Sequence, residues 1–204
     1  MAKRESSFIN MVLTLLMVTL VAAAILGYIY DLTKEPIEIA KLKAQQEAIK
    51  KVLPEFERLG DSYKIAAESG ADSLEFFPAY NESDLVGVAI KTYTKKGFGG
   101  LITIMVGVDK NGNFSGYEVL EHAETPGLGS KMGVWFNNSE KPKQNVIGKN
   151  PKTTKFEVSK DGGDIDAITA STISSRAFLD ALKRAYKAYE QNSVSSELRV
   201  QDSE

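Results

Sequence analysis

The chain has 204 residues, of which 43% are hydrophobic and 25% charged, with a formal net charge of −2 at pH 7. This composition is too apolar for a disordered chain, and the nearly neutral charge disfavours nucleic acid as a partner. With no Cys and one His, the chain lacks the ligands for iron–sulfur clusters, thiolate zinc sites and c-type haem, so we expect no metal site and only an organic redox group.

An uncharged apolar segment runs from Phe8 to Tyr30. As an α-helix it is about 35 Å long, enough to cross a hydrocarbon core of about 30 Å. A cleaved signal peptide has a shorter apolar core, so the segment predicts a permanent anchor in the cytoplasmic (inner) membrane. Lys3 and Arg4 precede it, and the positive-inside rule therefore places residues 1–7 in the cytoplasm and the C-terminal domain in the periplasm or outside the cell.

A second helical pattern follows at residues 31–53, with Pro36 near its start and Pro54 just after its end. Proline favours the first turn of a helix, and the apolar residues between the two prolines recur at helical spacing. We interpret this segment as a stalk helix that continues from the membrane helix.

From about residue 72 the spacing of apolar residues changes to that of β-strands. Four runs rich in β-branched and aromatic residues predict an antiparallel sheet, and Asn111-Gly112 between the last two is typical of a hairpin. The predicted strands are Leu74–Tyr80, Leu85–Thr94, Leu101–Val108 and Phe114–Glu121.

After the sheet, the pattern predicts a short helix at 130–137, a strand at Lys155–Ser159 and an amphipathic helix at Ser171–Gln191. We expect the polar tail at 193–204 to fray. The fold class is therefore α+β, with one N-terminal transmembrane helix followed at 54–192 by an antiparallel-sheet domain with packed helices.

Two glycine-rich segments border the predicted sheet. Gly97-Phe98-Gly99-Gly100 leads into a strand, and a run from Glu124 to Gly129 follows another. Glycine allows special backbone angles and the close approach of the backbone to a flat ligand. The first segment does not have the spacing of a dinucleotide-binding turn, and an ordinary strand-to-helix turn explains the second segment equally well.

Hydroxyl side chains crowd the predicted start of the last helix: Thr169, Ser171, Thr172, Ser174 and Ser175. One of them suffices as an N-cap, so redundant capping is one interpretation. The other is a phosphate site, because the free N–H groups of a helix N-terminus stabilise an anion and a Thr hydroxyl can be esterified by phosphate.

Taken in order, the membrane segment, the Gly-led strand, the Glu-Thr-Pro-Gly-Leu-Gly turn and the hydroxyl-rich helix start resemble the FMN-binding domain family. Within it the chain is similar to G subunits of Rnf electron transport complexes, and to the related C subunits of Na⁺-translocating NADH:quinone oxidoreductases. The resemblance implies that a flavin transferase attaches FMN covalently to the last residue of an Asp-x-x-Ser/Thr-Gly-Ala-Ser/Thr pattern. Here Asp166 and Thr169 match that pattern, Ala170 and Ser171 replace its Gly and Ala, and Thr172 is the implied acceptor, with Ser171 as the alternative.

The resemblance also implies which other residues surround the flavin. Thr169 and Ser171 lie beside the attachment point, and the remaining residues belong to the two glycine-rich segments. The latter are Glu124, Thr125, Pro126, Gly127, Leu128 and Gly129, with Gly99 and Gly100.

By the same resemblance, the chain relays electrons between partner subunits of an ion-translocating ferredoxin:NAD⁺ oxidoreductase. Its other subunits are implied to be integral membrane subunits and iron–sulfur or flavin subunits. The apolar segment contains no carboxylate, so movement of Na⁺ or H⁺ belongs to other subunits. Two alternatives from the same chemistry are a quinone-reductase C subunit and a stand-alone extracytoplasmic flavin reductase. An interaction module without a cofactor is a third.

Overall fold

The computed structural model describes residues 7–66 and 73–201, with side chains to residue 192. The chain divides into two compact units, Met1–Ala44 and Gln45–Glu204. Of the predicted cytoplasmic N-terminus only Ser7 lies within the described residues, and residues 202–204 of the polar tail lie outside them.

Helix α1 runs from Phe8 to Val52 and includes Pro36 in its interior. The apolar N-terminal part of α1 is exposed. Within the described part of the chain, α1 is the one helix that is long and apolar enough to cross a membrane. The Thr14 and Thr19 hydroxyls donate to the carbonyl oxygens of residues 10 and 15, at 2.7 and 2.9 Å. These polar groups are thus satisfied within the helix, as a hydrocarbon environment requires.

The second unit is built on one antiparallel sheet of six strands: β1 Arg58–Leu59, β2 Tyr63–Ala66, β3 Ser73–Asn81, β4 Asp84–Gly97, β5 Gly100–Asp109 and β6 Phe114–His122. The strand order is β1-β3-β4-β5-β6, with β2 also paired to β3. The four predicted strands and the α+β class are confirmed. Strands β1 and β2 escaped prediction because two and four residues are too short to show a period.

Each face of the sheet is covered by one helix. Helix α3, Thr172–Gln201, packs over β4 and β5, where Ile90 and Ile104 meet Phe178 in the main core. The C-terminal end of α1 covers the opposite face in a second cluster that includes Val52 and Met105. Because successive strand residues point to opposite faces, the continuous apolar run of β5 supplies both cores.

Between the sheet and α3 the chain is mostly loops and short helices. The predicted short helix is present as a 3₁₀ turn, Gly129–Lys131, followed by α2, Met132–Trp135. Two more 3₁₀ turns occupy Pro142–Gln144 and Ser159–Asp161.

The predicted strand at Lys155–Ser159 is wrong. Only an isolated bridge joins Val158 to Ile165, and the Lys155 N–H donates to the Asp164 carboxylate at 2.7 Å instead of to a neighbouring strand. Left-handed backbone at Gly162, with φ of 78°, turns the chain back before a strand can extend.

The predicted end of the last helix at Gln191 is also wrong. Helix α3 continues past Gln191 to Gln201. This segment contains no Gly or Pro to end a helix, so its polarity alone did not decide its conformation.

Candidate functional site

A cavity of about 410 Å³ lies in the second unit where three segments meet. The β4–β5 turn contributes Phe98, the loop after β6 contributes four residues between Glu124 and Gly129, and the start of α3 contributes residues 170–174. The volume is within the range of sites that hold small organic ligands.

The cavity brings together just over half of the residues predicted for the site. Those that line it are Glu124, Thr125, Leu128, Gly129, Ser171 and Thr172. Those outside the lining are Pro126, Gly127, Gly99, Gly100 and Thr169.

Sequence reasoning missed four lining residues, Phe98, Ala170, Ile173 and Ser174. Phe98 and Ile173 are 70% and 50% exposed, so no buried periodicity marked them. A bulky aromatic side chain between glycines was the available signal for Phe98. Ser174 stood out only as one of several neighbouring hydroxyls, and its partner is 50 residues away in sequence.

The start of α3 presents unpaired backbone donors beside the cavity. Ser171 immediately precedes the first helical residue, Thr172, and its carbonyl oxygen accepts the first helical bond from the Ser175 N–H at 3.0 Å. The N–H groups of Thr172, Ile173 and Ser174 come before that bond and have no acceptor within the helix. An anionic group at this end of the cavity is therefore stabilised by these donors and by the helix dipole.

Two of the clustered hydroxyls are committed to internal contacts. The Ser174 hydroxyl donates to Glu124 Oε2. The Ser175 hydroxyl donates to the Ser171 carbonyl and accepts from the Ile168 N–H, both at 2.9 Å. Redundant capping therefore does not explain these two serines.

The residue before Ser171 has an unusual backbone conformation. Ala170 has φ of +61°, in the left-handed region that glycine occupies without penalty. Its neighbour Ser171 donates its N–H to the Ile168 carbonyl at 2.9 Å, which closes a tight turn directly before α3. A turn of this shape suits the glycine that the resembled pattern has at this position.

Asp166 anchors the loop that leads to this turn. Its N–H donates to the Lys143 carbonyl at 2.7 Å, and its carboxylate accepts from the Ser159 hydroxyl at 2.6 Å. Its carbonyl accepts from Trp135 Nε1 at 3.0 Å. Asp166 lies outside the cavity lining and acts on the position of the helix start.

The turn after β6 uses part of its own backbone. The Gly127 N–H donates to the Ser130 hydroxyl at 2.9 Å, and the Leu128 N–H donates to the Thr125 carbonyl at 3.1 Å. These two groups are therefore not free for a ligand. His122 is exposed, and its Nδ1 accepts from the Glu124 N–H at 3.2 Å, so its contact is with the backbone of the same loop.

Two glycines of the predicted site serve internal packing. A Cβ on Gly99 would lie 2.0 Å from the Ala123 carbonyl oxygen, and one on Gly129 would lie 2.5 Å from Glu124 Oε2. Glycine at these places lets the chain close around Glu124. The sequence interpretation, in which these glycines approach a flat ligand, missed this function.

The residues present fit a phosphorylated aromatic cofactor. Apolar side chains of Phe98, Leu128 and Ile173 line the cavity for a flat ring, and the α3 N–H groups beside Thr172 suit a phosphate. No group of three His, Asp or Glu side chains suited to a metal ion occurs within residues 7–66 and 73–201.

Comparison with known proteins agrees with this class of site. Residues 97–187 match the model of the FMN-binding domain, a stretch that begins at the end of β4 and contains every segment of the cavity. The second unit therefore contains a region that matches the FMN-binding domain.

Relatives extend the similarity beyond that domain. The chain is 31% identical to the G subunit of an ion-translocating oxidoreductase complex from Aliivibrio fischeri (strain ATCC 700601 / ES114), over 88% of this chain and 90% of the relative. The corresponding G subunit from Salmonella typhi is 34% identical, over 77% and 79% of the two chains. The chain belongs to the family of G subunits of ion-translocating oxidoreductase complexes, and is thus a redox component of a translocase that has other subunits.

Proposed function

We propose that this protein relays electrons within a membrane-bound ferredoxin:NAD⁺ oxidoreductase of the Rnf type, through FMN attached by a phosphoester to Thr172. The observation that carries the proposal is the position of Thr172. It is the first residue of α3, partly exposed at the cavity, beside backbone N–H groups without helical partners.

Attachment joins Thr172 Oγ to the phosphorus of an activated flavin phosphate, a phosphoanhydride supplied by a flavin transferase. The bridging P–O bond of the anhydride breaks, the outer phosphate leaves with its substituent, the hydroxyl proton is released, and no electrons are exchanged. The N–H groups at the start of α3 stabilise the negative charge of the phosphate that remains attached. The product is heavier than the bare chain by FMN less one water.

The bound FMN supplies electron transfer, and the chain supplies position and environment. Phe98, Leu128 and Ile173 remove water from the ring, and the rigid turn at Ala170 and Ser171 keeps Thr172 at the cavity. The N–H donors of α3 hold the phosphate end. In this arrangement the chain passes electrons between partner subunits and turns over no soluble substrate by itself.

The attachment is tested by Thr172→Val, made in the full chain and coexpressed with the transferase. Intact-mass measurement should find FMN less one water on the parent and nothing on the variant, and peptide mapping should place the addition within residues 166–176. Ser171→Ala is the matched control, one residue away on the same cavity, and should keep the adduct. Flavin retained by Thr172→Val and lost by Ser171→Ala would move the attachment to Ser171.

We further propose that α1 spans the membrane with the FMN-binding domain on the outer side. The absence of Cys allows single-cysteine variants without background labelling. A membrane-impermeant maleimide should label Glu140→Cys in intact cells but Ser7→Cys only after permeabilisation. Both side chains are exposed, so labelling reports on membrane side and not on burial. The reverse pattern would invert the topology.

A further inference from the structure

Glu124 is the buried acidic residue of the cavity wall, only 5% exposed. Its Oε1 accepts from the Gly99 N–H at 2.9 Å, and its Oε2 accepts from the Ser174 hydroxyl. No ion pair among the described residues includes it. A buried carboxylate is therefore held by neutral donors alone.

The chain around Glu124 is shaped to admit this carboxylate. A Cβ on Gly97 would lie 2.6 Å from its Oε1, and a Cβ on Gly129 would lie 2.5 Å from its Oε2. Since real Cβ atoms do not approach so closely, side chains at either position would displace the carboxylate. The β4–β5 turn, the loop after β6 and the start of α3 thus meet at one side chain.

We infer that the buried Glu124 carboxylate joins the three walls of the cavity and lowers the reduction potential of the flavin bound there, with Ser174 as its positioning partner. The inference rests on the proposed function and adds to it. A negative charge at a poorly solvated wall opposes the arrival of an electron beside it, because little water screens the repulsion. The Ser174 hydroxyl partly offsets that charge while it holds the carboxylate in place.

The variant Glu124→Gln distinguishes the effect of the negative charge from the effect of the two hydrogen bonds. The amide oxygen can accept from the Gly99 N–H, and the amide nitrogen can donate to the Ser174 hydroxyl, so both contacts persist without the charge. The flavin should remain attached, and its midpoint potential should rise relative to the parent. An unchanged potential would overturn the inference.

The opposite shift is expected from Ser174→Ala, which keeps the charge but removes one of its two donors. The flavin potential should fall below that of the parent, since the remaining carboxylate is less compensated. Thr92→Val is the matched control, because Thr92 is also a buried hydroxyl that donates to α3, at the Ala181 carbonyl 3.1 Å away. Thr92→Val should leave the flavin midpoint potential unchanged. Shifts of the same sign in Glu124→Gln and Ser174→Ala would contradict the inference, because they would show that both residues act through packing and not through charge.

The claim that Glu124 joins the three walls of the cavity can be tested without measuring electron transfer. Amide hydrogen exchange at Gly99 should be about tenfold faster in Glu124→Ala than in the parent, and Glu124→Gln should restore protection. Unchanged exchange in Glu124→Ala would contradict it.

The two proposals fail in different ways. A flavin that maps to another residue contradicts attachment at Thr172 but leaves the potentials of the Glu124 and Ser174 variants measurable. A parent chain that carries no flavin in this cavity contradicts both the attachment and the tuning of a potential.

Discussion

The carbonyl oxygen of Val52, the last residue of α1, lies directly against Gly107 in the middle of β5. A Cβ added to Gly107 would be 2.0 Å from that oxygen. The same carbonyl accepts from the Ser115 hydroxyl at 2.6 Å, which satisfies an acceptor left open at the helix C-terminus. The absence of a side chain at Gly107 and the hydrogen bond from Ser115 thus allow the end of α1 to pack on the sheet face opposite α3.

We expect Gly107→Ala to destabilise the domain by about 2–3 kcal/mol, because the added methyl group forces the helix end off the sheet. Urea unfolding of the purified full chain measures the effect. Gly27→Ala is the control, since nothing lies within 4 Å of a Cβ at that position. Equal stability of Gly107→Ala and the parent would show that the helix end adapts freely.

Ala170→Gly should stabilise the domain by about 0.5–1 kcal/mol. The left-handed conformation at φ of +61° costs an Ala roughly 1–2 kcal/mol, part of which the greater freedom of Gly in the unfolded chain offsets. Thermal unfolding of the two chains makes the comparison. Ala123→Gly, at an exposed Ala outside the left-handed region, should instead lower stability; a loss in both variants would mean that Ala170 is unstrained.

Gly129→Ala should destabilise by about 1–3 kcal/mol, since its Cβ would meet both Glu124 Oε2 and the Ser174 hydroxyl at 2.5 Å. Gly133→Ala provides the contrast. Gly133 lies in α2 with nothing within 4 Å of an added Cβ, and Ala favours a helix by about 0.5–1 kcal/mol. We expect the denaturant midpoint to fall in Gly129→Ala and to rise in Gly133→Ala. An unchanged midpoint in Gly129→Ala would contradict the steric argument.

Asp180 gives α3 a pH-dependent link to β4. Burial raises the pKa of this carboxyl, but hydrogen bonds from Lys96 at 2.6 Å and Thr94 at 2.9 Å outweigh it, so the pKa is lowered. A lowered folded-state pKa stabilises above the unfolded value of 3.8, and this stability is lost as the pH falls through the folded value.

Asp180→Asn should therefore cost about 1 kcal/mol at neutral pH, because the contact with Thr94 can persist and Lys96 is solvent-exposed. The difference from the parent should shrink below about pH 4, as the parent carboxyl becomes protonated. Urea unfolding between about pH 3 and pH 7 measures this difference in stability, because the range includes the pKa of the carboxyl in the unfolded chain. A difference that is constant across this range would show that the charge contributes nothing.

The sequence determined the parts of this protein whose evidence is local. The sequence evidence for the apolar run from Phe8, the four long strands and the start of α3 is periodicity, length or capping chemistry within one segment. The start of α3 was predicted at Ser171 and lies at Thr172. The Lys155–Ser159 segment shows the limit, because the Lys155 N–H donates to the side chain of Asp164 and not to a neighbouring strand.

Tertiary structure alone decided which members of the motifs face the cavity and which support it. Ser174 and Ser175 have the same chemistry and adjacent positions, yet one holds Glu124 and the other holds the turn before α3. The same is true of Gly99 and Gly129, whose missing side chains make room for distant atoms. These functions depend on contacts between segments far apart in the chain, and a periodic pattern carries no information about such partners.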